Sequence, residues 1–208
     1  MIERIHDAAI LATNVTFETY LEQFAGQYAE WVNGTVIGMS PIDRRHDELS
    51  RFLSFLLELF LNYRPVATIR AAPTTMRLRS DLPAREPDLQ IILDEHADRL
   101  TDTYVDGPAD WVIEIVSPES VARDRGEKFH EYERGGVNEY WIVDPHRQQL
   151  LAYSLGSDGL YTPIPEDQQG RIASVTLPEF RLKVEVLWQS PLPGALARVE
   201  MVRAMVET

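Results

Sequence analysis

The chain has 208 residues, with 20 Lys plus Arg against 33 Asp plus Glu, a net charge of −13 and no cysteine. That length fits one domain able to bury its own core. The missing cysteines exclude disulfide scaffolds, thiolate zinc sites and cysteine nucleophiles, and the acidity excludes a surface-wide field for indiscriminate nucleic-acid binding.

Residues 1–15 carry Glu3, Arg4, His6 and Asp7 and lack the apolar core of a secretory signal. The most apolar stretch, residues 52–61, is interrupted by Ser54 and Glu58 and is too short to cross a membrane. A cytoplasmic protein with no membrane partner is expected. From Thr16, a plausible N-cap, the spacing of Phe17, Tyr20, Leu21 and Phe24 predicts a helix that stops at Gly26. Asn33-Gly34 between β-formers, over residues 30–37, marks a hairpin. Pro41 and Asp43 make a loop, and apolar residues from Leu49 to Leu61 mark a long amphipathic helix over residues 46–63.

Residues 67–78 alternate loosely and read as one strand, followed by a loop with Ser80, Asp81 and Pro83. Residues 87–93 and 111–116 are nearly continuous in apolar side chains, which predicts central strands buried on both faces. A charged helix is expected over residues 119–134, closed by Gly135-Gly136, and a third central strand over 139–143. Short strands follow at 150–153, 161–164, 171–175 and 182–187, with a last amphipathic helix beyond Pro191, to Val206. The fold class is α/β: a central mixed sheet flanked by helices, with an N-terminal hairpin and extra C-terminal strands, in a single domain over 1–208 with a helical tail over 188–208.

Two of the central strands each hold one acid where an apolar residue is expected: Asp88 at the start of the first, Glu114 inside the second. A buried carboxylate is costly unless it is paired, hydrogen-bonded or bound to a cation. Asp88 taken alone reads as a strand-end acid facing water, whereas Glu114 has no obvious solvated face. Two carboxylates converging from adjacent strands suit a hard divalent ion, Mg2+ or Mn2+. Such chemistry wants a cation close by, and Lys128 is the candidate. On its helix Asp124, Lys128 and Glu131 share a face, so an exposed Asp124–Lys128 pair is the competing reading. There is no phosphate-binding glycine loop, hence no nucleotide cofactor, and no serine-nucleophile elbow.

The ordered series Glu86-Pro87-Asp88-Leu89, then 111–120 (Trp111 to Ser120, with Glu114-Ile115-Val116-Ser117-Pro118-Glu119), then Asp124, Lys128 and Tyr132, then 136–144, with the hairpin, Met39-Ser40-Pro41 and His46 upstream, resembles the Uma-type "putative restriction endonuclease" family. That family is a bacterial branch of the PD-(D/E)xK nuclease superfamily, and the resemblance covers residues 16–187. It implies a restriction endonuclease-like core. It also implies metal-binding acids Asp88 and Glu114, a catalytic Lys128, and His46, Asp124 and Tyr132 in supporting or substrate-contacting roles. The superfamily lysine usually lies two residues after the glutamate, where this chain has Val116, and in this branch the following helix supplies it. The implied activity is hydrolysis of DNA phosphodiesters by metal-activated water in a homodimer, with weak, local DNA binding near Arg44, Arg45, Arg70, Arg77, Arg79, Arg123 and Arg125. A non-catalytic nuclease-like binding module and a phosphoesterase of small substrates remain the alternatives.

Overall fold

The computed structural model describes residues 4–5, 8–39, 41, 43–117 and 123–207. Two short strands, β1 (Arg4–Ile5) and β2 (Ala8–Thr13), open the chain. Helix α1 (Phe17–Gln23) starts where expected because the Thr16 hydroxyl accepts from the Thr19 N–H. The Asn33-Gly34 turn, with φ of 49° and 84°, joins β3 (Ala29–Val32) to β4 (Thr35–Gly38) as the left-handed pair a tight hairpin needs. Helix α2 (Arg44–Tyr63) begins at Asp43, whose carboxylate accepts from the His46 N–H.

The stretch 67–78, read above as one strand, is two: β5 (Ala67–Ala71) and β6 (Thr75–Arg77), which join different sheets. Pro73 lies at the break and has no N–H for a ladder. Strands β7 (Ala84–Arg85) and β8 (Leu89–Leu93) follow, then a 3₁₀ segment, Asp94–Arg99, and β9 (Tyr104–Asp106) and β10 (Trp111–Ile115). Of the charged helix expected over 119–134, residues 119–122 lie outside the described residues, as do Ser40, Pro118 and Thr208. The rest is a π turn, Arg123–Glu127, running into α3 (Lys128–Gly135), capped by Gly136 at φ 85°. Then come β11 (Glu139–Asp144), β12 (Gln149–Leu155), β13 (Tyr161–Pro163), β14 (Arg171–Ala173) and β15 (Arg181–Lys183). The strand expected at 182–187 ends at Lys183, and Val184–Trp188 forms a 3₁₀ turn before α4 (Ala195–Val206).

The single mixed sheet expected is thus divided. A six-stranded sheet, β13-β12-β11-β10-β8-β5, is mixed: β10 and β11 run parallel and the other neighbours antiparallel. A seven-stranded sheet, β1-β2-β4-β3-β7-β6-β9, carries the hairpin, and β14-β15 is a separate ribbon. One face of the six-stranded sheet, with Leu89, Ile91, Trp111, Ile113 and Trp141, packs against Leu49, Phe52, Leu53, Leu56 and Phe60 of α2 and against Phe180. The opposite face, with Ile92, Val112, Tyr140 and Ile142, packs against Tyr132 of α3 and against Met76 and Leu78. Strands β10 and β11 are buried along their whole length because both faces are covered, which explains their apolar runs between the acids Glu114, Glu139 and Asp144. The C-terminal segment is part of this core, with Met201, Met205 and Val206 packed on the α2 side. Among the described residues, no helix is long and apolar enough to cross a membrane.

Candidate active site

The β8–β10 register pairs Leu89 with Ile113 and Gln90 with Val112, and just beyond it the Ile115 N–H donates to the Asp88 side chain, which brings Asp88 beside Glu114. Both carboxylates lie at the same end of the sheet, Glu114 against Lys128 and Tyr132 of α3 and Asp88 against His46 at the start of α2. Asp88 is 7% exposed and Glu114 3% exposed, so the strand-end reading of Asp88 as a solvated acid does not hold.

Each acid is fixed through one oxygen. Oδ2 of Asp88 accepts from the Ile115 N–H at 2.6 Å and lies 3.1 Å from Nε2 of His46. Oε1 of Glu114 accepts from the Lys128 ammonium at 2.8 Å and the Tyr132 hydroxyl at 2.7 Å. The structure therefore brings His46, Asp88, Glu114, Lys128 and Tyr132 into one cluster. It places His46 there by starting α2 at the mouth of the site. Tyr132 both packs in the core and donates to Glu114.

Lys128 is not in an exposed pair. It is 1% exposed, and its Nζ lies 2.8 Å from Glu114, 3.2 Å from Glu30 and 3.4 Å from Asp124. Asp124, Lys128 and Glu131 do share a face, and that face points inward. Two members of the cluster were missed in the sequence, Glu30 and Arg85. The guanidinium of Arg85, itself 1% exposed, donates to Glu30 Oε2 at 2.7 Å and to both oxygens of Glu131 at 2.8 Å. The order Glu131–Arg85–Glu30–Lys128–Glu114 is an alternating row of acids and bases crossing from the seven-stranded sheet to the six-stranded one.

Burial is the strongest influence on Glu114 and lifts its pKa to about 8 against the pull of Lys128, with Asp124 and Asp88 adding to the rise. Burial alone would lower Lys128, but Glu114, Glu30 and Asp124 outweigh it and hold the ammonium well above its ordinary range. Burial would likewise raise Glu30, yet Lys128, Arg85 and Arg123 drive it below the usual carboxylate range. For His46 the hydrogen bond and charge of Asp88 overcome the burial that opposes them, and its pKa is raised.

Oδ1 of Asp88 and Oε2 of Glu114 accept no hydrogen bond from the described residues. Two carboxylate oxygens are donors a hard cation takes, and Mg2+ commonly uses only one or two protein carboxylates while keeping several waters. The residues present fit such an ion. Among the described residues, no group of three or more His, Asp or Glu side chains is arranged to hold a metal.

The arginines expected to line a positive groove are largely engaged. Arg44 and Arg45 pair with Glu48, Arg79 with Asp81 and Arg125 with Asp144, while Arg77 lies over the Phe17 ring.

No curated protein shows significant similarity to the chain. Among solved structures, a protein described as "a putative nuclease belonging to DUF820" from Anabaena variabilis ATCC 29413 is similar at a TM-score of 0.67 and 14% identity, covering 84% of this chain and 97% of that one. At that identity the likeness carries the fold, which is restriction endonuclease-like. The family model Uma2, described as "Putative restriction endonuclease", matches residues 16–185, from the N-cap of α1 to the turn after β15. The match takes in the hairpin, both acids and the lysine helix, and the chain belongs to the Uma2 family.

Proposed function

We propose that this chain is a divalent-cation-dependent DNA endonuclease that acts in the cytoplasm as a homodimer, hydrolysing phosphodiester bonds. The observation that carries this reading is the buried juxtaposition of Asp88, Glu114 and Lys128 at one end of the six-stranded sheet. Membership in a family described as restriction endonucleases, and the likeness to a protein described as a nuclease, support it.

Asp88 and Glu114 would hold Mg2+ or Mn2+ through Oδ1 and Oε2, which accept no hydrogen bond from the described residues. When bound, such an ion offsets charge that builds on a phosphate and lowers the pKa of a water. The protein's own groups do the rest. The Ile115 N–H and His46 hold Asp88 in place, and Tyr132 fixes Glu114. Lys128, kept protonated by three acids, supplies a fixed positive charge within reach of the same carboxylate, where it can screen a phosphate oxygen and orient the attacking water. Because these groups are set by strands and a capped helix, little reorganisation is needed when substrate arrives.

The test is incubation with supercoiled plasmid in Mg2+ or Mn2+, with Asp88→Ala as control. Nicked and linear products from the wild type alone are the expected result. No cleavage with either ion, or equal cleavage by the variant, overturns the reading. A second reading, a nuclease-like module that binds without cutting, is favoured by one observation: no three metal-holding side chains meet among the described residues. It predicts intact plasmid in every lane.

A further inference from the structure

The ammonium of Lys128 and a divalent cation would compete for one carboxylate. Lys128 Nζ donates to Glu114 Oε1 at 2.8 Å, and on the reading above Glu114 is one of the two acids that would hold the ion. A second positive centre arriving at Glu114 repels the ammonium, and a lysine side chain has four flexible bonds through which to leave. Something must keep it at the site. Asp124 is on the helix of Lys128, one turn away at 3.4 Å, and moves with it. Glu30 is different. It comes from β3 in the other sheet, 98 positions earlier in the chain, and its Oε1 lies 3.2 Å from Nζ.

Glu30 is itself immobilised. Its Oε2 accepts from Arg85 at 2.7 Å, and Arg85 is held in turn by a two-point contact with Glu131. Both Glu30 and Arg85 are 1% exposed, so the pair cannot swing to solvent. Its second oxygen has no hydrogen-bond donor of its own among the described residues and lies 3.2 Å from the Lys128 ammonium.

Resting on the metal-site reading above, we propose that Glu30, clamped by Arg85, is a positioning residue: it shares the Lys128 ammonium with Glu114 and keeps it at the site when a divalent cation takes over Glu114. The consequence is directional. With Glu30 present, Glu114 can release part of its hold on the ammonium to the ion. Without it, the ammonium leans wholly on Glu114 and Asp124, and the ion meets a more tightly held competitor.

The experiment is a double-mutant cycle read by Mn2+ binding to the full chain, using calorimetry or the paramagnetic resonance of free Mn2+, with no substrate present. Glu30→Gln keeps the shape and removes the charge. In the Lys128 background it should weaken Mn2+ binding by roughly tenfold, within the range of coupling energies measured for groups in one network. Lys128→Met alone should tighten Mn2+ binding, since the competing ammonium is gone. In the Lys128→Met background, Glu30→Gln should change affinity by less than about twofold, the limit of additivity for uncoupled sites. An equal loss in both backgrounds overturns the proposal, because Glu30 would then act by bulk charge and not through Lys128. Absence of Mn2+ binding by the wild type, or undiminished binding by Asp88→Asn, refutes the metal-site reading and the proposal with it. Should Glu30→Gln fail to fold, Glu30→Asp keeps the charge and retracts it by one methylene. A loss confined to the Lys128 background is expected there too, and equal effects in both backgrounds overturn the proposal.

Discussion

Arg85→Met tests whether the alternating row of charges holds the two sheets together. Arg85 is buried in full and serves Glu30 and Glu131 at once. Methionine keeps much of the side-chain volume, so the change isolates the charge. Removing one partner of a buried pair typically costs about 3–5 kcal/mol, because the other is left charged and dry. Two features move the expectation to the lower end. The Glu131 side chain is 16% exposed and can rehydrate, and Glu30 retains Lys128 at 3.2 Å. About 3 kcal/mol is therefore expected. At an unfolding entropy of about 2.1 cal/mol/K per residue, 208 residues give about 0.44 kcal/mol/K, so Tm should fall by about 7 °C. Thermal melting and urea denaturation read this directly. A second variant sharpens it: Arg85→Met with Glu30→Gln should regain part of the loss, since the stranded carboxylate is gone. A drop below about 1 kcal/mol, the range of exposed pairs, would refute the claim that this row is structurally required.

Three further outcomes are expected. His46→Ala should lower plasmid cleavage by about 10- to 100-fold, the usual cost of losing a group that orients a metal-binding acid, with His46→Gln partly restoring it; unchanged nicking rates would remove His46 from the site. Glu139 is buried, and that burial raises its pKa from 4.5 against hydrogen bonds from Ser174, Thr176 and Trp141. The folded chain therefore keeps this proton to higher pH than the unfolded one, so its contribution is complete below about pH 4.5 and is lost as pH climbs through the raised value. Urea denaturation between pH 4.5 and 8 should show a flatter pH dependence for Glu139→Gln, and identical slopes would contradict this account. Gly136→Ala should cost about 1–2 kcal/mol, because a Cβ is strained at φ 85°, and Gly136→Asn should cost less; an alanine variant melting at the wild-type temperature would count against it.

What could be read from the sequence follows the range of the interaction. The hairpin is encoded by two adjacent residues, Asn33 and Gly34, and α2 by its own periodicity, so both emerge without tertiary information, while Asp43, read as a loop residue, proves to be the cap that starts the helix at Arg44 and not at His46. Strands β8, β10 and β11 betray their double burial through composition, and that burial exposes Asp88 and Glu114 as anomalies. Glu30 and Arg85 give no such signal. Each sits in a short strand of mixed character, next to Trp31 and Glu86, where a charged residue reads as an exposed edge position. Their burial comes from pairing β3 with β7, which joins Arg85 to Glu30 across 55 positions, and from packing that sheet against α3, which joins Arg85 to Glu131 across 46. The 184–188 segment fails for the opposite reason. Over five residues, a two-residue and a three-residue period give nearly the same pattern of apolar positions, and the 3₁₀ turn is chosen by how Val184, Val186 and Leu187 meet α2.

The acidity of the chain takes on a specific meaning once the pairs are placed. Arg44, Arg45, Arg79 and Arg125 are already matched to acids, so they add little unopposed attraction for a polyanion. At the site itself, the Asp88 carboxylate faces any incoming phosphate, and Glu114 adds a second like charge once pH passes its raised pKa of about 8. At about 5 Å and an effective dielectric near 20, each such contact costs about 3 kcal/mol, more than a single exposed arginine returns. Lys128 cannot offset both acids, because Glu30 and Asp124 share its charge. On the proposed reading, a divalent ion is thus required to admit the substrate as well as to cut it. Catalytically dead Asp88 variants should then differ from the wild type in how the ion affects DNA affinity, and the net charge of −13 becomes a gate that opens only when the ion is present.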